Sequence, residues 1–328
     1  MKRLTAVEIE TNPSAYRRGV HALAIVAAAF TWPLLLSGGQ VTTYRVGMAV
    51  PDWPTTFGIN MFLYRFVDST WGVFIEHRHR LLGAGLGLIS IVLAVWFTLR
   101  ERRLGVKLLG WGALAGVVLQ GLLGGLRVRN NSTELALVHG CSGQAVFGVM
   151  VALAVVTSRK WIDSAANRDE SRGTRAYSLG FLILVYAQIV IGAILRHFGS
   201  MLIVHVCMAV CVIVAGCVLS VSVRSSERER TAVRAAAARL SGAIAAQGVL
   251  GVSAWWMLRP FDSVARRVTT WQAIARTGHQ GTGALVLGAA VSLALWAWRP
   301  WFARVFTSSS DTFGSTTSVS VRELEVVA

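Results

Sequence analysis

Eight apolar runs, each long enough to cross a bilayer as a helix, recur along this 328-residue chain and decide what it can fold into. About 20 apolar residues suffice for one crossing. The runs lie near 19–39, 74–99, 107–126, 134–157, 175–196, 201–223, 236–257 and 271–298. None has the strong alternation with turn residues that a membrane barrel needs. The expected fold is all-α: a polytopic membrane protein of eight transmembrane helices, arranged as two pseudo-repeated four-helix bundles. With 54% hydrophobic and only 15% charged residues, the chain is too apolar for a soluble fold of this length.

A formal net charge of +16 suggests nucleic acid until the charges are placed. Lys and Arg fall in the N-terminal segment, in the loops after spans two, four and six, and in the tail. That side holds 21 of the 32 basic residues, so the positive-inside rule makes it cytoplasmic, with both termini inside. An even number of spans agrees. The surplus charge is topological, and no nucleic-acid partner is expected. The first span is too long for a cleaved signal, and Glu8 and Glu10 interrupt any mitochondrial presequence pattern. A bacterial plasma membrane is the expected location. The Ser- and Thr-rich stretch Thr307–Ser320 predicts disorder from about residue 305. Cys141, Cys207, Cys211 and Cys217 all fall within spans and read as small packing residues.

Internal duplication follows the chemistry. Every even-numbered span has a histidine near its start: His79, His139, His205 and His279. A small residue follows each at i+4, namely Gly83, Gly143, Ala209 and Gly283. Spans three, five and seven share a glutamine and, four residues later, a glycine: Gln120/Gly124, Gln188/Gly192 and Gln247/Gly251. The halves fall at 1–160 and 161–328, divided by the basic loop Arg159–Arg175.

An ionisable side chain inside a span marks function, because burying it without a partner is costly. Zinc draws its ligands into one small sphere, often with thiolate or carboxylate. Four histidines spread over two repeats suit two separate pairs, and facing histidines in a helix bundle form an axial site for haem iron. His79 pairs with His139, and His205 with His279. The outer side holds few basic residues, yet Arg78, Arg80, Arg127, Arg129, Arg196 and Arg276 all lie near these histidines. A guanidinium is the side chain best shaped to meet a haem propionate. A small residue one turn from each ligand, glycine in three of the four, leaves a flat surface for the porphyrin.

Glu76 stands three residues before His79 on the same helical face. There it either serves proton transfer and stabilises developing positive charge, or pairs with Arg80 at i+4. His77 points to another face, His197 lies near the second haem or in water, and His21 has no assigned role.

The string Glu76-His77-Arg78-His79-Arg80-Leu81-Leu82-Gly83 resembles the ExxHR signature on the second helix of haem A synthases. Pro51-Asp52-Trp53-Pro54 is similar to that family's PDWP segment, with Gly38-Gly39 before it. QGLLGGLR (120–127) ahead of His139, QIVIGAILR (188–196) ahead of His205, and His279-Gln280 continue the likeness from about residue 20 to 298. The resemblance implies oxidation of the C8 methyl of haem O to a formyl group, giving haem A for terminal oxidases. It implies that His79 and His139 flank the substrate haem, that His205 and His279 hold a resident haem b, and that Glu76 is the catalytic carboxylate. Implied partners are haem O, membrane lipid, a haem O synthase, an electron donor and, in addition, a second copy of the chain.

Some family members have a cysteine pair in the first outer loop, whereas Gln40–Gly72 has none. Two rival readings are a non-catalytic bis-histidine cytochrome b and a haem transporter, since paired repeats also build transporters. Pro33, near the outer end of span one, is the only proline inside a span, which weighs against the transporter. A prenyltransferase would need aspartate-rich diphosphate sites that the chain lacks.

Overall fold

The computed structural model describes residues 16–163, 172–226, 231–257 and 268–299; the tail expected to be disordered lies outside them. The chain runs through α1 (Arg18–Thr43), β1 (Thr55–Thr56), β2 (Ile59–Asn60), α2 (Trp71–Arg100), α3 (Leu104–Arg129) and α4 (Thr133–Val156). A short α5 (Arg159–Asp163) leads to α6 (Arg172–Phe198), α7 (Leu202–Ser226), α8 (Thr231–Met257) and α9 (Thr270–Ala297). Eight of these helices have the length and hydropathy to cross a membrane, so the all-α polytopic expectation holds. Several begin before the apolar run that predicts them, because a helix continues through the interface. α2 starts at Trp71, which places Glu76 and His79 well inside it.

Two histidine-bearing helices open on side-chain caps. Ser132 Oγ accepts the Leu135 N–H at α4, and Thr269 with Gln272 forms a reciprocal capping box at α9. Such caps satisfy backbone donors that the first turn leaves unpaired.

α1 packs against α2, α4 and α9, and α3 lies between α2 and α4. α6 packs against α7, α9 and α4, and α8 lies between α7 and α9, while α4 and α9 meet each other. Exchanging α1–α4 with α6–α9 returns the same set of packed pairs.

The apolar core is not centred. It draws mainly on the first halves of α1, α3, α6 and α8 (Val20, Val106, Phe181, Val233) and the second halves of α2, α4, α7 and α9 (Phe97, Leu153, Val223, Leu293). Successive helices are antiparallel, so these ends share one side of the bundle. Loops fasten the same side. Arg103 pairs with Glu101 at 2.8 Å and donates to the Val156 carbonyl at 2.8 Å, tying the α2–α3 turn to the end of α4. The four histidines lie toward the opposite side.

Candidate functional site

Four helices bring their histidines together as two pairs with one geometry. The rings of His79 and His139 stand 6.3 Å apart, centre to centre, at 85°. Those of His205 and His279 stand 6.3 Å apart at 83°. Two imidazoles on opposite sides of one metal ion, each nitrogen about 2.0–2.1 Å from it, place their ring centres roughly 6–6.5 Å apart. Each pair therefore has the span of a single axial site. Among the described residues no group of three or more His, Cys, Asp and Glu side chains gathers as a zinc cage would need.

Each ring rests its Cε1 corner on a glycine of the preceding helix. A Cβ on Gly38 would lie 3.0 Å from His79, on Gly124 3.2 Å from His139, on Gly192 2.9 Å from His205 and on Gly251 3.0 Å from His279. Four residues before each glycine stands Leu34, Gln120, Gln188 or Gln247. Gln247 Nε2 stands 3.4 Å from His279 Nε2, while the Nδ1 atoms of His79, His139 and His279 are buried without a hydrogen-bond partner. Gln188 Nε2 is 3.2 Å from His205 Nδ1 and donates to the His205 carbonyl at 2.9 Å. Partners of this kind orient a ring whose other nitrogen ligates a metal. The glutamine pattern was visible in the sequence without a role. Gly38 escaped it because Leu34 stands where the other helices have glutamine.

These close contacts reverse a usual sign. In a plain helix Gly→Ala stabilises by about 0.5–1 kcal/mol. Gly192→Ala and Gly251→Ala are expected instead to displace the ring and lower the haem retained per polypeptide after purification. Unchanged haem content in both variants would remove the glycines from the site.

The surroundings of the pairs differ. Glu76 is 1% exposed, accepts the Val50 N–H at 3.0 Å and pairs with Arg80 at 3.0 Å, with Arg127 at 4.0 Å. The i+4 ion pair anticipated from the sequence is thus present. Arg80 also donates to the carbonyls of Val50, Asp52 and Thr55 at 2.7, 2.6 and 3.1 Å. Its guanidinium holds the loop between α1 and α2, a task the sequence did not assign to it. Arg78 bonds Gln40 and lies over the Phe74 ring, while Arg129 is exposed in the last turn of α3.

That loop is built rather than slack. Phe57 (φ 52°) and Gly58 (φ 76°) form the left-handed two-residue turn that joins β1 to β2. Asp52 steadies it by accepting from Thr55 Oγ1, Phe57 N–H and Gly58 N–H at 2.5, 2.8 and 2.9 Å. His77, fully buried, meets Thr56 Oγ1 at 3.1 Å under the rings of Tyr64 and Phe66. It anchors the loop and stands apart from the histidine pair.

Desolvation raises the Asp52 pKa, but the Gly58, Thr55 and Phe57 bonds outweigh it and hold the carboxyl at about 2, against an ordinary 3.8. A depressed carboxylate lends stability above its unfolded value and loses it as pH falls through the folded one. Amide exchange at Phe57 and Gly58, corrected for intrinsic rate, is expected to lose protection as pH falls from about 4 to about 2. Protection independent of pH over that window would exclude Asp52 as the turn's clasp.

At the second pair, Arg196 donates to the Gly39 carbonyl and Thr43 Oγ1 of α1, both at 2.6 Å, crossing between the halves. Arg276, half-buried, faces Arg196 on one side and Arg45 on the other. The Nε atoms of Arg78 and Arg196 are buried and have no hydrogen-bond acceptor. Buried cationic donors without acceptors beside histidine pairs suit the carboxylates of a haem. His197 differs from expectation: it lies against Gly140 beside His139, at the first pair, because the end of α6 packs on α4.

The chain matches the family described as cytochrome oxidase assembly protein (COX15-CtaA) over residues 21–207. It is 29% identical over 193 residues to a haem A synthase of Symbiobacterium thermophilum, covering 55% of this chain and 60% of that one. A haem A synthase of Lysinibacillus sphaericus is 29% identical over 197 residues (57% and 61%), and one of Exiguobacterium sp. is 26% identical over 174 residues (51% and 54%). The chain thus spans less than two thirds of the length of the relatives it matches.

Proposed function

Because the chain belongs to the COX15-CtaA family of cytochrome oxidase assembly proteins, which includes the haem A synthases, and is a multi-pass plasma-membrane protein, we propose that it oxidises the C8 methyl of haem O to a formyl group. Both termini are cytoplasmic in this reading, and the histidine pairs lie toward the outer face. The observation that carries it is an asymmetry: two histidine pairs share one geometry, and of the two only His79–His139 has a buried carboxylate, Glu76, on its own helix.

His79 and His139 flank the substrate haem O, and His205 and His279 hold a resident haem b. When bound, the second haem supplies one-electron transfer. Methyl to formyl removes four electrons and four protons and brings in one oxygen atom from water. In that balance the membrane partner expected as an electron donor acts instead as the acceptor of the four electrons, and a haem O synthase supplies the substrate. Glu76 stabilises positive charge developing beside it and takes up a proton at its carboxylate. Arg80 and Val50 N–H hold that carboxylate in one orientation. Arg78, Arg127 and Arg129 serve the propionates of the first haem, and Arg196 and Arg276 those of the second. The structured loop over α2 keeps bulk water from the first pair.

Expression with a source of haem O, followed by extraction and mass identification of the haems, tests the reading. Haem A or its hydroxylated precursor is expected. Neither species in a folded, haem-loaded preparation would sink it. The shared geometry of the pairs favours one alternative, an inert bis-histidine cytochrome b, which predicts two unmodified haems in the same extract.

A further inference from the structure

The cleft between the two halves, far from the histidines, has the form of a lipid site. It measures about 630 Å³ and is walled by α4 (Phe147, Val151, Ala154) and α9 (Leu285, Ala289), with Ala28 of α1 and Ala243 of α8 completing it. This is within the range of ligand cavities, on the order of 300–1,000 Å³. Its lining is apolar but for Ser292 on α9 and one end, where Lys160 and Arg239 stand with Ser158 and Trp296. From Phe147 on α4 to Ser158 just past its end, and from Leu285 to Trp296 on α9, the wall is about 16 Å long. That is about half of a roughly 30 Å hydrocarbon core, the depth of one leaflet.

We infer that this cleft holds an anionic phospholipid of the cytoplasmic leaflet, its acyl chain between α4 and α9 and its phosphate between Lys160 and Arg239. Three features select that occupant. The apolar length matches a leaflet. Both cations sit at the end where a headgroup would emerge. That end lies on the side of the chain with the greater share of basic residues, where anionic lipid attracts them. Basic pockets between helices on the cytoplasmic side bind such headgroups. A lipid here wedges between α4, α8 and α9 and supports the contact between the halves.

The test is native mass spectrometry of the full-length protein, released from nanodiscs of mixed phosphatidylglycerol and phosphatidylcholine. The wild type is expected to retain one phosphatidylglycerol in preference to phosphatidylcholine. Each cation replaced should weaken that retention about five-fold, so that Lys160→Gln with Arg239→Gln loses roughly twenty-five-fold. Ala289→Phe, which fills the cleft and leaves the charges, should lose both lipids while the protein stays monodisperse. Equal retention of the two lipids by the wild type overturns the proposal. So does an unaltered preference in the double variant, or displacement of the lipid by inorganic phosphate alone. Haem content is read in the same samples, so failure here is separate from failure of the haem assignment.

Discussion

Replacing Glu76 by glutamine is expected to cut haem A formation by about 10²–10⁴, the usual worth of a positioned acid–base group, while the bound-haem spectrum stays as in the wild type. Glutamine keeps the size of the side chain and an oxygen to accept the Val50 N–H, so the α1–α2 loop stays seated. What it removes is the negative charge beside Arg80 and Arg127. Alanine is a different experiment. Like glutamine, it leaves two largely buried guanidinium groups with no counter-charge, a loss that costs about 3–5 kcal/mol. It also takes away the oxygens that accept from Val50 N–H and Arg80. Both variants should therefore lower the unfolding temperature, Glu76→Ala further than Glu76→Gln, and turnover is compared on the folded, haem-loaded fraction of each. Wild-type turnover in Glu76→Gln would reduce the carboxylate to a counter-ion for Arg80.

Removing either ligand of the second pair should have an effect of comparable size on the spectrum. His205→Ala and His279→Ala each leave one imidazole where the 6.3 Å geometry requires two. The low-spin signal of a permanently held haem should disappear in both, with the protein still inserted and folded. His79→Ala should leave that signal in place and affect the exchangeable site alone. An unchanged spectrum in both second-pair variants would mean that the resident haem is held elsewhere.

The features that were legible in the sequence are those that repeat. Eight hydropathy maxima specify eight helices, and histidines at matching positions in four of them converge as two pairs. Contacts made once were harder to read. Glu76 offers two readings in the sequence, a proton-transfer role or a pair with Arg80, and only the fold shows Arg80 on the carboxylate while it gives its other donors to the carbonyls of Val50, Asp52 and Thr55. The loop hairpin hides because Phe57 occupies a left-handed position that normally signals Gly or Asn, and the Asp52 carboxylate makes that conformation tenable. His197 was misplaced because sequence proximity to His205 suggested the second pair. The last turn of α6 instead carries it to α4, a contact between halves that periodicity does not encode.

The off-centre core has a consequence for the life of the protein before any haem arrives. The side away from the histidines closes with its own side chains, with Phe97, Leu153, Leu240 and Leu293 fully sealed. A ligand stabilises only the parts it touches, and does so by mass action. The foundation should therefore form during membrane insertion whether or not haem is at hand. Around the histidine pairs themselves, where three ring Nδ1 atoms are buried without a partner, the structure would set later. The hairpin loop beside the first pair is the exception, held by Arg80 and His77. A cell short of haem would then hold a stock of inserted apoprotein ready to be charged.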